Sequence, residues 1–292
     1  MTEETKSIYT LEEDLKNLFS PGSHFEIDEK HLKEFSENVK EAVVSSLLRN
    51  QSTGELEKRN LRMSSIGKPD RQLWYEANSP PQDRKYFDYA TLIKFLYGSI
   101  LEELLVLFVR VAGHDIKNLQ QEHEIDGVYG HQDAEIDGVV VDFKSASGRS
   151  FVKFKNGTLH DSDPFGYIGQ LSAYAQAQGK NEAMFVVIDK QNGEITTYPL
   201  HELEMIDAAK RIKHLKQVIK NTDKPEKCYP DAEDTVKGNR KLSIGCIYCQ
   251  YKKGCWSDAN GGMGLRAFKY ANGTRFLTQI NKLPNVEEVE VT

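Results

Sequence analysis

No stretch of the 292 residues stays apolar for long enough to span a bilayer; the nearest, Ile100 to Val111, is broken by Glu102, Glu103 and Arg110. A helical membrane protein is thereby excluded, and no membrane partner is expected. The opening MTEETKSIYTLEEDL is acidic and has neither the basic start nor the apolar run of a secretory signal, so a cytoplasmic, reducing setting is the expectation. Cysteine is scarce, with four in the chain, and in a reducing setting these read as metal ligands or free thiols rather than as disulfides. No Gly-rich phosphate loop of the Walker type occurs, which rules out a self-contained ATP-driven helicase. None of the eight histidines falls in an HExxH or similar zinc-ligand spacing, and there is no internal repeat or low-complexity tract.

What is present is ordinary in bulk and uneven in detail. With 39% hydrophobic and 28% charged residues the chain has the composition of a globular protein long enough to bury a sizeable core. The net charge of −6 argues superficially against nucleic acid, yet residues 1–40 carry ten acids against five lysines, whereas residues 208–256 carry twelve basic residues against five acids. Acids gathered at a cation site also lower the net charge without repelling DNA once the cation is bound. A basic zone built from Lys210, Arg211, Lys213, Lys216, Lys237, Arg240, Lys241, Lys252 and Lys253 is therefore compatible with a DNA channel.

Periodicity divides the chain into segments. Residues 1–60 read as polar helices, with Leu11, Leu15 and Leu18 and then Phe35, Val39, Val43 and Leu47 at helical spacing, separated by Pro21-Gly22. Residues 63–78 suggest a loop leading into a short helix, and a firmer helix runs from about Asp88 to Val111. Residues 148–164, with Gly148, Gly157, Asp161, Asp163 and Pro164, read as a loop. A helix over 165–178, a buried strand over 183–189, an Asn192-Gly193 turn, a strand over 194–199 and a basic amphipathic helix over 201–220 follow. The segments group as a helical elaboration (1–60), an α/β core (61–222), a cysteine-bearing segment (223–260) and a C-terminal tail (261–292) with a frayed end.

The decisive stretch is GHQDAEIDGVVVDFKSAS, residues 130–147. Asp137-Gly138 is a hairpin signal, preceded by His131, Asp133 and Glu135 and followed by three valines. Alternation along a strand sends Asp142 and Lys144 to one side, and the hairpin brings Asp133 alongside Asp142. Two carboxylates so placed repel unless a cation lies between them, and oxygen donors favour Mg²⁺ or Mn²⁺ over zinc. The same letters also suit a surface hairpin with solvated charges.

The order Glu102, Asp133, Asp142-Phe143-Lys144, Gln170-x-x-x-Tyr174 resembles the PD-(D/E)XK nuclease superfamily, and within it the RecB-like exonucleases. GSILEEL supplies Glu102 four residues after Gly98, GHQD supplies Asp133, DFK supplies Asp142 and Lys144, and GQLSAYAQA supplies Gln170 and Tyr174 one helical turn apart. The resemblance spans about Met63 to Trp256. It implies a restriction-endonuclease-like core, with a central mixed sheet flanked by helices. It also implies that Glu102, Asp133, Asp142 and the Phe143 carbonyl hold Mg²⁺ or Mn²⁺, that Lys144 orients water and offsets developing charge, and that Gln170 and Tyr174 position phosphate or water. Tyr174 also suits the core. Ser65, Arg71, Trp74 and Tyr75 in SSIGKPDRQLWYEA fit a further outline of these nucleases, with Ser65 and Arg71 implied at the DNA backbone and Trp74 reading as core. His131, two residues before Asp133, is a candidate for a supporting or phosphate role.

Cys246, Cys249 and Cys255 form a C-x₂-C-x₅-C triplet punctuated by Gly245 and Gly254, with Cys228 upstream. The spacing resembles the C-terminal iron–sulfur staple of AddB-type and CRISPR-adaptation nucleases. In those the fourth ligand usually precedes the core, near the place of Gly67 or Lys68 here, so Cys228 must substitute. A [4Fe–4S] cluster and a Cys₄ zinc are both allowed, and either would clasp the C-terminal segment rather than catalyse.

The resemblance implies an Mg²⁺- or Mn²⁺-dependent exodeoxyribonuclease acting on single-stranded or end-bearing DNA in phage-type recombination or genome maintenance. A bacterial or phage-infected cytoplasm and a recombination or helicase partner would go with that activity. Two alternatives stand beside it: a CRISPR-adaptation-type DNA-trimming nuclease, and a non-catalytic DNA-binding protein that keeps the fold.

Overall fold

Asp137 and Gly138 both take positive φ, +49° and +85°, and the turn they make sets the centre of the principal sheet. The computed structural model describes residues 6–49, 60–79, 89–146 and 148–291. The expected helix start at Asp88, the end of the motif stretch at Ser147 and residues 50–59 of the expected N-terminal helices lie outside them. The chain divides into two compact units, Met1–Gly67 with Pro80–His214, and Lys68–Ser79 with Leu215–Thr292. In chain order the helices are α1 (Leu11–Asn17), α2 (Glu29–Leu48), α3 (Asp70–Asn78), α4 (Tyr89–Val111), α5 (Arg149–Lys155), α6 (Tyr167–Ala177) and α7 (Ala208–Lys220). The strands are β1 (Ile116–Lys117), β2 (Glu122–Ile125), β3 (Val128–His131), β4 (Ala134–Ile136), β5 (Val139–Ala146), β6 (Glu182–Asp189), β7 (Ile195–His201), β8 (Ala232–Glu233), β9 (Arg240–Lys241), β10 (Arg266–Tyr270), β11 (Gly273–Gln279) and β12 (Glu288–Val289).

The first unit is mixed α/β, with a central mixed sheet flanked by helices. Its strand order is β1-β4-β5-β6-β7; β5 and β6 run parallel, from Val140 opposite Ala183 to Ala146 opposite Asp189, and the other neighbours are antiparallel. Alternation in β5 decides what each face receives. Val141 and Phe143 join Leu11 and Leu15 of α1, Leu105 and Val109 of α4, and Met184 and Val186 in one apolar core. The opposite side of the sheet carries α5 and α6, where the rings of Phe154, Phe185 and Tyr198 pack edge-on and stacked. Asp142 and Lys144 belong to this second side.

The helix α1 is docked on the sheet and is part of its core. Leu11 and Leu15 are fully buried, and the Glu12 carboxylate accepts the Thr197 amide at 2.8 Å. By contrast α2 buries no residue fully and lies along α4, tied by Arg110–Glu34 at 2.6 Å and Asn38–Glu103 at 2.8 Å. Leu47, placed with the core by its spacing, is 69% exposed. Residues 149–155, expected within a loop, form the helix α5, because Phe151 and Phe154 fall on one face and are buried. The helix expected over 201–220 begins only at Ala208, since β7 runs on to His201 and a short 3₁₀ turn follows.

Two copies of the tetrapeptide Ile-Asp-Gly-Val make two hairpins. Beside the one at 136–139, Ile125-Asp126-Gly127-Val128 closes the two-stranded β2–β3 ribbon, with Asp126 and Gly127 at φ +50° and +70°. Asp133, expected inside the first strand of the motif hairpin, sits instead between β3 and β4, where the chain leaves the ribbon for the main sheet.

The second unit has its own sheet, ordered β12-β10-β11-β9-β8, over a core of Leu242, Cys246, Trp256, Ala259, Leu265, Ala267 and Phe276. Residues 261–292, expected as a tail, therefore supply three paired strands, and Ala267 and Leu277 are fully buried. Among the described residues no helix is long and apolar enough to cross a membrane.

Candidate active site

Three elements bring acids to one place. Asp142 projects from the middle of β5 with its side chain fully buried. Its Oδ1 accepts from Gln170 Nε2 of α6 at 3.1 Å, and its Oδ2 forms an ion pair with Lys144. Asp133 accepts the Phe143 amide at 2.8 Å, which couples the β3–β4 junction to the strand bearing Asp142 and Lys144. Glu102, from α4, is held by Gln120 Nε2 at 2.9 Å.

The charges of these groups act on one another. Burial, then the neighbouring Asp142 and Glu103, push the Glu102 carboxyl up to about 7. Burial and the Asp142 charge raise Asp133 well above the usual carboxylate range, and burial raises Asp142 despite the opposing Lys144. For Lys144 burial works towards the neutral amine, but Asp142 and Asp133 more than reverse it, so the side chain stays an ammonium. One ring lies under that ammonium, Tyr167, with its centroid 5.0 Å from Nζ. Tyr174 is 1% exposed and lies one helical turn after Gln170 on α6, so it is part of the core; burial raises its phenol.

The remaining candidates lie elsewhere. Ser65 is buried, and its hydroxyl donates to the Arg62 carbonyl at 2.8 Å. The guanidinium of Arg71 is taken up inside the second unit by the Pro225 carbonyl and by Cys255, whose Sγ is 3.1 Å from Nε. Both side chains implied at the DNA backbone are thus engaged within the fold. His131 is exposed on β3 and faces Glu122 at 3.6 Å. Of the expected basic zone, Arg211 donates to the Ile66 carbonyl, Arg240 pairs with Asp231 at 2.6 Å and Lys241 lies 3.7 Å from Asp234.

Sequence reasoning missed Gln120, Tyr167 and Asp163. Gln120 sits at φ +52°, a conformation no residue letter announces. Tyr167 had a signal, since it lies one helical turn before Gln170. Asp163 was read as a loop residue and nothing more. Its two carboxylate oxygens accept from the amides of Gly166 and Ile168 at 3.0 and 2.9 Å, fixing the entry to α6.

In the second unit Cys228, Cys246, Cys249 and Cys255 all line one cavity of about 20 Å³, with Arg71, Tyr75, Tyr251 and Trp256 around it. Gly245 is required there, because a Cβ would lie 2.5 Å from the Tyr229 ring. Burial raises the thiols of Cys228 and Cys246 and pushes Cys249 up to about 11. Among the described residues no group of three or more His, Cys, Asp or Glu is drawn together tightly enough to grip an ion as it stands. The donor sets nevertheless fit. Burial and neighbouring carboxylates raise Glu102 and Asp133 with one ammonium beside them, and all the donors are oxygens, as a hard divalent cation requires. Four sulfurs around one cavity suit a soft centre.

No family model matches the chain, and none of the curated proteins matches it. Solved structures give slight likenesses. The crystal structure of SSO0001 is 15% identical, covering 73% of this chain and 92% of its own, with a TM-score of 0.42. A phage-related exonuclease from Haemophilus somnus 129PT is 16% identical, covering 57% and 94%, with a TM-score of 0.39. The alkaline exonuclease LHK-Exo from Laribacter hongkongensis, crystallised with dAMP, is 13% identical, covering 54% and 86%, with a TM-score of 0.32. Likeness at this level assigns no activity.

Proposed function

We propose that this protein is a metal-dependent deoxyribonuclease of the PD-(D/E)XK type, an exonuclease acting on single-stranded or end-bearing DNA. The observation that carries the reading is that Asp142 pairs with the Lys144 ammonium and accepts from Gln170, while Asp133 accepts the Phe143 amide of the same strand, so that two carboxylates and one ammonium gather at β5. In this reading Glu102, Asp133, Asp142 and the Phe143 carbonyl would hold Mg²⁺ or Mn²⁺, which supplies Lewis acidity and a more acidic water when bound. The chain's own residues do the rest. The Lys144 ammonium, kept charged by its neighbours, offsets negative charge as it builds on the phosphate. Gln170 holds Asp142 in place, Gln120 holds Glu102, and the Phe143 amide fixes Asp133. Tyr174, raised by burial, stays a neutral phenol and in this reading helps position phosphate or water with Gln170.

The four cysteines would bind a structural [4Fe–4S] cluster, with Cys228 in the fourth place. A Cys₄ zinc is the second reading, because four thiolates suit either soft centre. Anaerobic purification decides between them: a brown protein containing iron and sulfide supports the cluster, and a colourless one with stoichiometric zinc rejects it.

The test of activity uses end-labelled linear, circular and single-stranded DNA with Mg²⁺, Mn²⁺ or EDTA. Linear DNA should be degraded only with the divalent ion, and Lys144→Ala should lower the rate by about 10²–10³-fold. Undiminished degradation by folded Lys144→Ala would remove the catalytic assignment. Binding without hydrolysis by the wild type would leave a DNA-binding protein.

A further inference from the structure

The loop entering α6 holds an exposed aromatic ring beside the candidate site. Phe165 is 46% exposed and stacks on Tyr167, with ring centroids 5.5 Å apart and planes 26° from parallel. Tyr167 in turn lies under the Lys144 ammonium. The three groups thus form a short row running outward from the chemistry: ammonium, inner ring, exposed ring. The backbone bearing them is fixed at several points. Asp163 accepts the Gly166 and Ile168 amides through its two oxygens, Lys153 donates to the Ser162 carbonyl at 2.7 Å, and Gly67 lies directly against Gly166. A large apolar ring on a fixed backbone gains nothing from its exposed position within the fold.

A flat ring that is exposed and already stacked on a neighbouring ring is suited to receive another flat ring. We propose that Phe165 is a stacking platform for an unpaired nucleobase of the strand whose phosphate lies at Lys144. It would act as a positioning residue that makes a single-stranded nucleotide, rather than a stacked duplex, the preferred substrate. The inference rests on the nuclease reading above and deepens it. Stacking of a base on an aromatic side chain needs only a π-face and is sequence-tolerant, so it selects for strandedness and for the presence of a base.

The test compares the full-length wild type, Phe165→Ala and Phe165→Tyr on a single-stranded oligonucleotide and on the same oligonucleotide with abasic sites at its terminal nucleotides. For the base-bearing strand Phe165→Ala should raise KM about 5- to 30-fold with kcat changed less than about twofold, and Phe165→Tyr should restore the wild-type value. On the abasic strand the three proteins should agree. Equal losses on both strands, or none on either, would overturn the platform. Stacking is also read without hydrolysis, by quenching of a fluorescent adenine analogue in the strand when EDTA is present. Quenching that disappears in Phe165→Ala, in a wild type unable to cleave, would sustain the platform while removing the nuclease reading. Absence of Phe165-dependent quenching in a wild type that cleaves would do the reverse.

Discussion

Gly67 is where the fold tolerates least. A Cβ built on it would lie 2.2 Å from the Gly166 carbonyl oxygen and 2.6 Å from its Cα, and a Cβ built on Gly169 would lie 2.5 Å from the Gly67 Cα. Ordinary contact between a methyl group and a carbonyl oxygen needs about 1 Å more than this, and the obstacle is backbone, which cannot swing aside as a side chain can. Gly67→Ala must therefore displace the Gly166 turn. That turn is held by both oxygens of Asp163 and leads straight into Tyr167 and Gln170, which touch Lys144 and Asp142. Overpacking of this kind costs about 1–3 kcal/mol. In a unit of this size that lowers Tm by roughly 3–10 °C. A displacement near 1 Å at the site should cost about 10²-fold in rate. The control is Gly98→Ala. A Cβ there would meet only Ser145 Oγ at 3.6 Å, inside the long helix α4, so the change should stabilise by up to about 1 kcal/mol. If the packing reasoning holds, thermal unfolding of the two variants shifts in opposite directions, and DNA degradation falls in Gly67→Ala but not in Gly98→Ala. A Gly67→Ala protein with wild-type Tm and rate would refute it.

Three further outcomes follow from the same residues. In EDTA the folded Glu102 carboxyl titrates near 7 against an ordinary 4.5, so between those values the folded state binds more protons than the unfolded one. Stability should then fall as pH rises through that window, by on the order of 2–3 kcal/mol, and Glu102→Gln should flatten the slope measured by unfolding at pH 5, 6 and 8; an unchanged slope would show that Glu102 is not the group. Glu12, whose carboxylate is lowered because Lys16 and the Thr197 amide together outweigh burial, anchors α1 to β7. Glu12→Ala should cost about 1–3 kcal/mol and speed hydrogen exchange at Thr197, with failure marked by unchanged protection. Cys228→Ser should lower retained iron or zinc to well under half without altering the secondary structure of the first unit, checked by elemental analysis and circular dichroism; full retention would remove Cys228 from the ligand set.

Much of the first unit was legible because its signals are local. Asp137-Gly138 demands a tight turn, Asp142 and Lys144 lie two positions apart on one strand face, and Gln170 and Tyr174 lie four positions apart on one helix face. The structure follows all three. Asp133 was misplaced in its strand because the same Ile-Asp-Gly-Val letters occur twice, and only the pairing of β2 with β3 shows that the ribbon ends before Asp133. The helix α5 was hidden by the strong loop letters Gly148, Gly157, Asp161, Asp163 and Pro164, although Phe151 and Phe154 carried a weak helical spacing between them. The strands of residues 261–292 were hidden for another reason. Their buried positions, Ala267, Phe268, Phe276 and Leu277, come in adjacent pairs rather than alternating, because both sides of those strands are covered. Arg71 shows the limit of residue type: a guanidinium suits phosphate, but it suits a carbonyl and a sulfur as well, and only the fold decides.

The two donor sets obey opposite rules of burial, and this bears on what each can do. The thiols line a cavity without a carboxylate among its walls, and with Cys228, Cys246 and Cys249 raised by burial they persist as neutral, weakly polar groups until a soft ion displaces their protons. Leaving them empty costs little, which suits the structural role proposed for them. The carboxylates cannot be left alone so cheaply. Asp142 is buried against Lys144, and Asp133 and Glu102 are pushed towards protonation by burial first and then by neighbouring carboxylates, against Lys144, the Phe143 amide and Gln120. A core of the same shape built from apolar residues would be more stable, so this cluster is a local conflict of the kind that stability alone does not maintain. Its relief requires positive charge arriving from outside the chain, and a site that gains from each arrival is suited to bind, react and release.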